Sequence, residues 1–99
     1  MNINIIKNEE KTIFALAGKL DAITSPKLQD ALLAELGEEK HVELDLSGLA
    51  YISSAGLRVL LMGEKTAKAY GGRQTIVNIT PGVMEVFEMT GFSNVLHIE

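Results

Sequence analysis

Two proline-marked helix starts and a series of glycine stops cut this chain into short pieces that alternate between strand and helix character. Thr24-Ser25-Pro26 and Thr80-Pro81 each set a hydroxyl-bearing residue before a proline. Proline is tolerated at the first helical position because its missing N–H has no partner there in any case. Behind the first signal Leu28, Ala31, Leu32 and Leu36 recur at helical spacing until Gly37; behind the second, Val83, Val86 and Phe87 do so until Gly91. A third apolar stripe, Leu57, Leu60, Leu61 and Ala67, follows Ser53 and Ser54 and stops at Tyr70-Gly71-Gly72.

Strand patterns fill the gaps. Ile3, Ile5 and Lys7 alternate with their neighbours, Thr12–Ala17 is β-rich, and polar Lys7–Lys11 between them reads as a hairpin loop, with Gly18 closing the second strand. Glu38–Lys40 reads as a polar loop. Val42, Leu44 and Leu46 alternate with Glu43, Asp45 and Ser47 in a third strand, and Ser47-Gly48 is followed by a short Leu49–Ile52 segment. A fourth strand is expected over Gln74–Ile79 and a last one over Val95–Ile98. The order is β-β-α-β-α-β-α-β, an α/β fold in one domain, 1–99, whose sheet is mostly parallel after an N-terminal hairpin. A parallel strand covered on both faces is apolar throughout, yet Glu43 and Asp45 interrupt this one, so the helices are expected mainly on one face.

Composition removes several function classes. The net charge is −4 with no basic run, so phosphate-neutralising contact with nucleic acid is not expected, nor is adhesion to an anionic membrane. There is no cysteine, which excludes disulfides, thiolate catalysis and thiolate metal sites. The start, Met1-Asn2-Ile3-Asn4, lacks a signal peptide's pattern, and a cytoplasmic location is expected. No phosphate-cradling glycine motif is present, so no nucleotide or other cofactor is expected. His41 and His97 lie far apart in sequence and read as plain surface or strand-end residues. No spacing of donors suggests a metal, and Ser53 and Ser54 lie outside any G-x-S-x-G elbow. Catalytic residues: none expected. Met84 and Met89 read as core filling in the third helix.

What remains is Ser53-Ser54-Ala55-Gly56. Either serine can cap the following helix. A hydroxyl there also lies where backbone N–H groups are unpaired and the helix dipole favours negative charge. A phosphate would be tolerated while adding about −1.5 to −2 charges to the surface. The two uses are compatible.

At these residues the sequence resembles a known family. Asp45-Leu46-Ser47-Gly48-Leu49-Ala50-Tyr51-Ile52-Ser53-Ser54-Ala55-Gly56-Leu57 is similar to the signature of STAS-type anti-sigma factor antagonists. Gly18-Lys19-Leu20-Asp21 resembles the family's G-x-L-D turn, Gly71-Gly72 falls where its second helix ends, and the stretch from Thr80-Pro81-Gly82-Val83 to Phe87-Glu88-Met89-Thr90-Gly91-Phe92 resembles its third-helix segment.

The resemblance implies a STAS-like fold and partner switching. An unphosphorylated antagonist binds an anti-sigma factor that is also a serine kinase. Phosphorylation releases it, and a metal-dependent, PP2C-type phosphatase resets it. By motif, Ser54 is the phosphoacceptor, with Asp21, Ser53, Ala55, Gly56, Leu57 and Arg58 on the partner-binding surface. Many members carry Asp where this chain has Ser53, and Ser or Thr where it has Ala55; Ser53 is therefore a candidate minor acceptor. The chain ends without the extra C-terminal helix of many members, which leaves an apolar edge for a weak homodimer or a partner. The alternative reading is an unregulated STAS adaptor in a transporter-associated or other signalling assembly.

Overall fold

The computed structural model describes residues 1–37 and 40–99. Its elements are β1 (Asn2–Lys7), β2 (Thr12–Leu20), α1 (Ser25–Glu35), β3 (His41–Ile52), α2 (Ser54–Ala69), β4 (Arg73–Val77) and α3 (Pro81–Thr90), followed by a 3-10 turn, Phe92–Asn94. The expected loop at Glu38–Lys40 falls partly on residues 38 and 39, outside the described residues.

β1 and β2 form an antiparallel hairpin closed by Asn8, whose Oδ1 accepts from the N–H groups of Glu10 at 2.8 Å and Lys11 at 2.9 Å. β3 joins β2 and β4 joins β3, both in parallel, so the sheet order is β1-β2-β3-β4. Two successive crossovers stepping the same way, each right-handed, lay their helices on the same face. Burial shows that face. Phe14, Leu16, Val42, Leu44, Leu46 and Ile76 of the sheet share one core with Leu28 and Leu32 of α1, Leu57 and Leu60 of α2, and Val83 and Phe87 of α3. The intervening residues Ile13, Ala15, Glu43 and Asp45 turn the other way and stay partly exposed. The alternation in β3 is thus the mark of a sheet covered on one side.

Three local expectations change. Gly18 does not end β2, nor does Ser47-Gly48 end β3: both strands continue, to Leu20 and Ile52. The glycines sit instead at register shifts between Ala15 and Ala17 and between Gly18 and Lys19. Gly18 has φ +101°, and a Cβ on Gly48 would lie 3.0 Å from both the Ala17 Cβ and the Leu16 carbonyl oxygen. Here glycine permits a bulge and a close approach of two strands.

Next, the tail is pinned more than paired. Val95–Ile98 contributes a single parallel bridge among the described residues, Ile98 to Ile76, with Ile76 N–H donating to the His97 oxygen and Glu99 N–H to the Ile76 oxygen, each at 2.9 Å. Glu64 of α2 holds the same segment, since its buried carboxylate accepts from His97 N–H at 3.0 Å. Finally, the two methionines part ways: Met84 packs on the core and Met89 is 78% exposed.

Candidate functional site

α2 starts where β3 ends, at the carboxyl end of the parallel strands. Ser53 is the N-cap, with extended backbone, and its Oγ accepts from Gly56 N–H at 3.4 Å; the first helical bond runs from Leu57 N–H to the Ser53 oxygen at 2.9 Å. Such caps contribute about 0.5–2 kcal/mol, and the long contact argues for the low end. Ser53 N–H donates to the Leu20 oxygen at 2.9 Å, which fastens the helix start to the end of β2. The capping duty therefore belongs to Ser53. That leaves Ser54, the first residue of the helix, exposed.

The next turn is divided between core and surface. Gly56 is buried, and a Cβ on it would come within 2.8 Å of both Ile52 and Leu20 side-chain carbons, so only glycine lets α2 sit this close. Leu57, at 5% exposure, belongs to the core. Gly56 and Leu57 thus set the position of the helix while Ser54, Ala55 and Arg58 face outward.

Asp21 stands at the turn from β2 to α1. Its Oδ1 accepts from the N–H groups of Ile23 and Thr24 at 3.0 Å each and from the Thr24 hydroxyl at 3.1 Å. Asp21 therefore closes the turn that leads into α1, through the N–H groups of Ile23 and Thr24 that lie ahead of the helix. The Thr24 hydroxyl is taken by Asp21 and by the Lys19 oxygen, at 2.9 Å, and makes no cap bond. Thr80 behaves alike, occupying the N-cap position of α3 but bonding to the Leu49 oxygen at 3.2 Å. The hydrogen bonds to Asp21, led by that from Thr24 N–H, hold its carboxyl below the ordinary carboxylate range, with desolvation opposing.

A pKa lowered by folding stabilises the folded state above the unfolded value of about 3.9, and that contribution disappears as pH falls through the folded value. Asp21→Asn keeps the acceptor oxygen and removes the titration. Below pH about 4, the urea midpoint of the natural chain is expected to fall more steeply than that of Asp21→Asn; parallel curves would show that Asp21 contributes nothing to the acid response.

The turn that Asp21 organises carries Ile23 at 88% exposure, an apolar side chain held out on a tightly bonded loop. Tyr51, half exposed, pairs in register with Lys19 nearby. Between α1 and α2 runs an open groove of about 400 Å³ lined by Ala22, Ser25, Pro26, Gln29, Ala55, Arg58 and Val59. Ile23, Tyr51 and this groove were not singled out in the sequence. Ile23 had a signal, an isoleucine in a polar turn that belongs to neither helical stripe. The groove had none, because it forms only when two helices meet.

Elsewhere, His41 Nε2 lies 3.0 Å from the Thr75 hydroxyl at the opposite end of the sheet, and burial lowers its pKa, with Arg73 and Lys11 adding to the effect. His97 pairs with Glu99 at 3.1 Å on the surface. Among the described residues, no three acidic or histidine side chains gather as metal ligands, and no helix is long and apolar enough to cross a membrane.

A family model described as "Mlab, STAS domain" matches residues 3–97. The chain belongs to the STAS family. BtrV of Bordetella bronchiseptica, named provisionally as an anti-sigma factor antagonist, is 34% identical over 99 residues, spanning 99% of this chain and 85% of its own. The anti-sigma-B factor antagonist of Bacillus subtilis is 28% identical over 100 residues, spanning 99% of this chain and 90% of its own. Among solved structures, a protein of Thermotoga maritima named provisionally as an anti-sigma factor antagonist superposes with a TM-score of 0.86 at 20% identity, over 97% of this chain and 84% of that one. This last likeness concerns the fold. In this STAS domain the signature strand-to-helix junction is the segment that presents Ser54.

Proposed function

We propose that this STAS domain is an anti-sigma factor antagonist that works by partner switching, with Ser54 as the phosphoacceptor. One observation carries the reading: Ser54 is exposed at the first position of α2 while Ser53 caps the helix and Gly56 and Leu57 anchor it. A group added at Ser54 changes the surface and leaves the packing alone. The names borne by BtrV and the Bacillus subtilis relative support the same assignment.

The partner is an anti-sigma factor that is also a serine kinase. It docks on the surface formed by Asp21, Ser53, Ala55 and Arg58, to which the exposed Ile23 adds an apolar contact. Ser54 Oγ attacks the γ-phosphorus of ATP bound to the kinase. The bond from that phosphorus to the bridging oxygen breaks, ADP keeps the electron pair, and the hydroxyl proton passes to a base of the kinase. The first N–H groups of α2 and the helix dipole favour the new anion. The kinase surface, complementary to a neutral hydroxyl, now faces about −1.5 to −2 charges and lets go. A PP2C-type phosphatase, supplying its own metal, directs water to the phosphorus and restores the hydroxyl.

Incubation with an anti-sigma factor serine kinase and Mg-ATP tests this by intact mass. The natural chain and Ser53→Ala are expected to gain one phosphoryl group and Ser54→Ala none. Equal phosphorylation of Ser54→Ala would remove Ser54 from the mechanism.

A further inference from the structure

Arg58 is the one cation in the first two turns of α2, and it lies four residues after Ser54. Both side chains are exposed, and positions i and i+4 stand one above the other on a helix, with Cβ atoms about 5–6 Å apart. An anion N-terminal to a cation is the favourable order for such a pair. Among the described residues Arg58 has no salt-bridge partner. Its side chain lines the groove between α1 and α2. The same groove is bordered by Ser25, 4% exposed, whose hydroxyl is buried without a hydrogen-bond partner. Arg58 therefore stands where two demands meet: a groove that offers polar groups to a docking protein, and a serine one turn back.

Building on the reading of Ser54 as acceptor, we propose that Arg58 senses the phosphate in cis: once Ser54 is phosphorylated, the Arg58 guanidinium turns back onto the phosphoryl oxygens and is withdrawn from the groove. Phosphorylation then does two things to the docking surface. It adds an anion at the start of α2 and removes the cation beside Ser25 and Gln29. Guanidinium suits the task because its fork of N–H donors engages two phosphoryl oxygens at once, which an ammonium does not. Among the described residues, the charged groups at this end of the fold include Lys19 at the end of β2, Asp21 in the turn and Lys27 in the first turn of α1.

The test uses full-length chain with phosphoserine incorporated genetically at position 54, so it needs no kinase. A ³¹P NMR titration follows the second ionisation of the phosphate, ordinarily near pH 6. An Arg58 contact favours the dianion, so the midpoint is expected about 0.3–1 unit lower in the natural background than in Arg58→Gln, with Arg58→Lys between. The Arg58 Nε–H resonance is expected to move on phosphorylation. Equal midpoints in the Arg58 and Arg58→Gln chains, or an unmoved Nε–H resonance, overturn the proposal. Because Arg58 is exposed, Arg58→Gln is expected to fold, which the thermal midpoint of its unphosphorylated form checks. If cells never phosphorylate Ser54, the proposed function fails, yet this titration still decides whether Arg58 contacts the phosphate.

Discussion

A Ser54→Asp chain is expected to keep its fold and to lose its partner. Ser54 is exposed at the first position of α2 and makes no contribution to the core, so the exchange removes no packing. An acidic residue in the first helical turn is favoured by the dipole by about 0.3–1 kcal/mol, and the thermal midpoint is expected to stay level or rise. Binding moves the other way. Placing an unmatched charge in a desolvated contact costs about 2–5 kcal/mol, which corresponds to a loss of roughly 30- to 5,000-fold in affinity. Ser54→Ala, neutral and small, is expected to bind like the natural chain. Calorimetry of the three proteins against the anti-sigma factor kinase, beside thermal melts of each alone, separates recognition from folding. Equal affinities for Ser54→Asp and Ser54→Ala would place the docking surface elsewhere on the domain.

Gly63→Ala is expected to be strongly destabilising. Gly63 lies on the buried face of α2 against Gln74 of β4, and a Cβ there would overlap the Gln74 Oε1. Gln74 is fully buried and its Nε2 donates to the Leu60 oxygen at 2.9 Å, so the amide cannot swing aside without breaking that bond. Overpacking adds about 1–3 kcal/mol and a broken buried hydrogen bond about 1–3 more, giving a loss of about 2–6 kcal/mol. At about 4–8 °C per kcal/mol for a domain of this size, that is a drop of roughly 10–45 °C in thermal midpoint. Shortening Gln74 makes room for the methyl group. The double variant Gly63→Ala with Gln74→Ala is therefore expected to be less destabilised than the sum of the two single variants, a coupling of about 1–3 kcal/mol. Strict additivity in urea unfolding would mean that the two residues do not compete for the same space.

Much of this fold was legible because the signals were local. Pro26 and Pro81 marked helix starts, Asn8 lay in the hairpin loop, and the alternation of Val42, Leu44 and Leu46 with Glu43 and Asp45 betrayed a sheet covered on one side. Where two elements met at a distance the sequence was silent or misleading. Gly18 and Gly48 looked like stops because glycine ends many strands, whereas here two neighbouring strands approach closely and need a bulge. Thr24 had the chemistry of a cap, but its hydroxyl is drawn back to Asp21, three residues earlier, and to the Lys19 oxygen. The last strand was drawn from an apolar run, yet Glu64 and a single bridge hold that segment. At the candidate site, Ser54 and Asp21 were readable from motifs. The anchoring of Gly56 and Leu57, the exposure of Ile23 and the groove beside Arg58 depend on how α2 rests against β2, β3 and α1, which no run of residues encodes alone.

The most direct test of Ser54 as a switch is peptide mapping, with intact mass before and after phosphatase treatment, of the chain purified from its own cells under several growth conditions. The expected result is one phosphate, on Ser54, whose occupancy changes with conditions and vanishes on phosphatase treatment. A chain that carries no phosphate under any condition, or carries it on a residue other than Ser54, would contradict the switch and leave an unregulated STAS adaptor in its place.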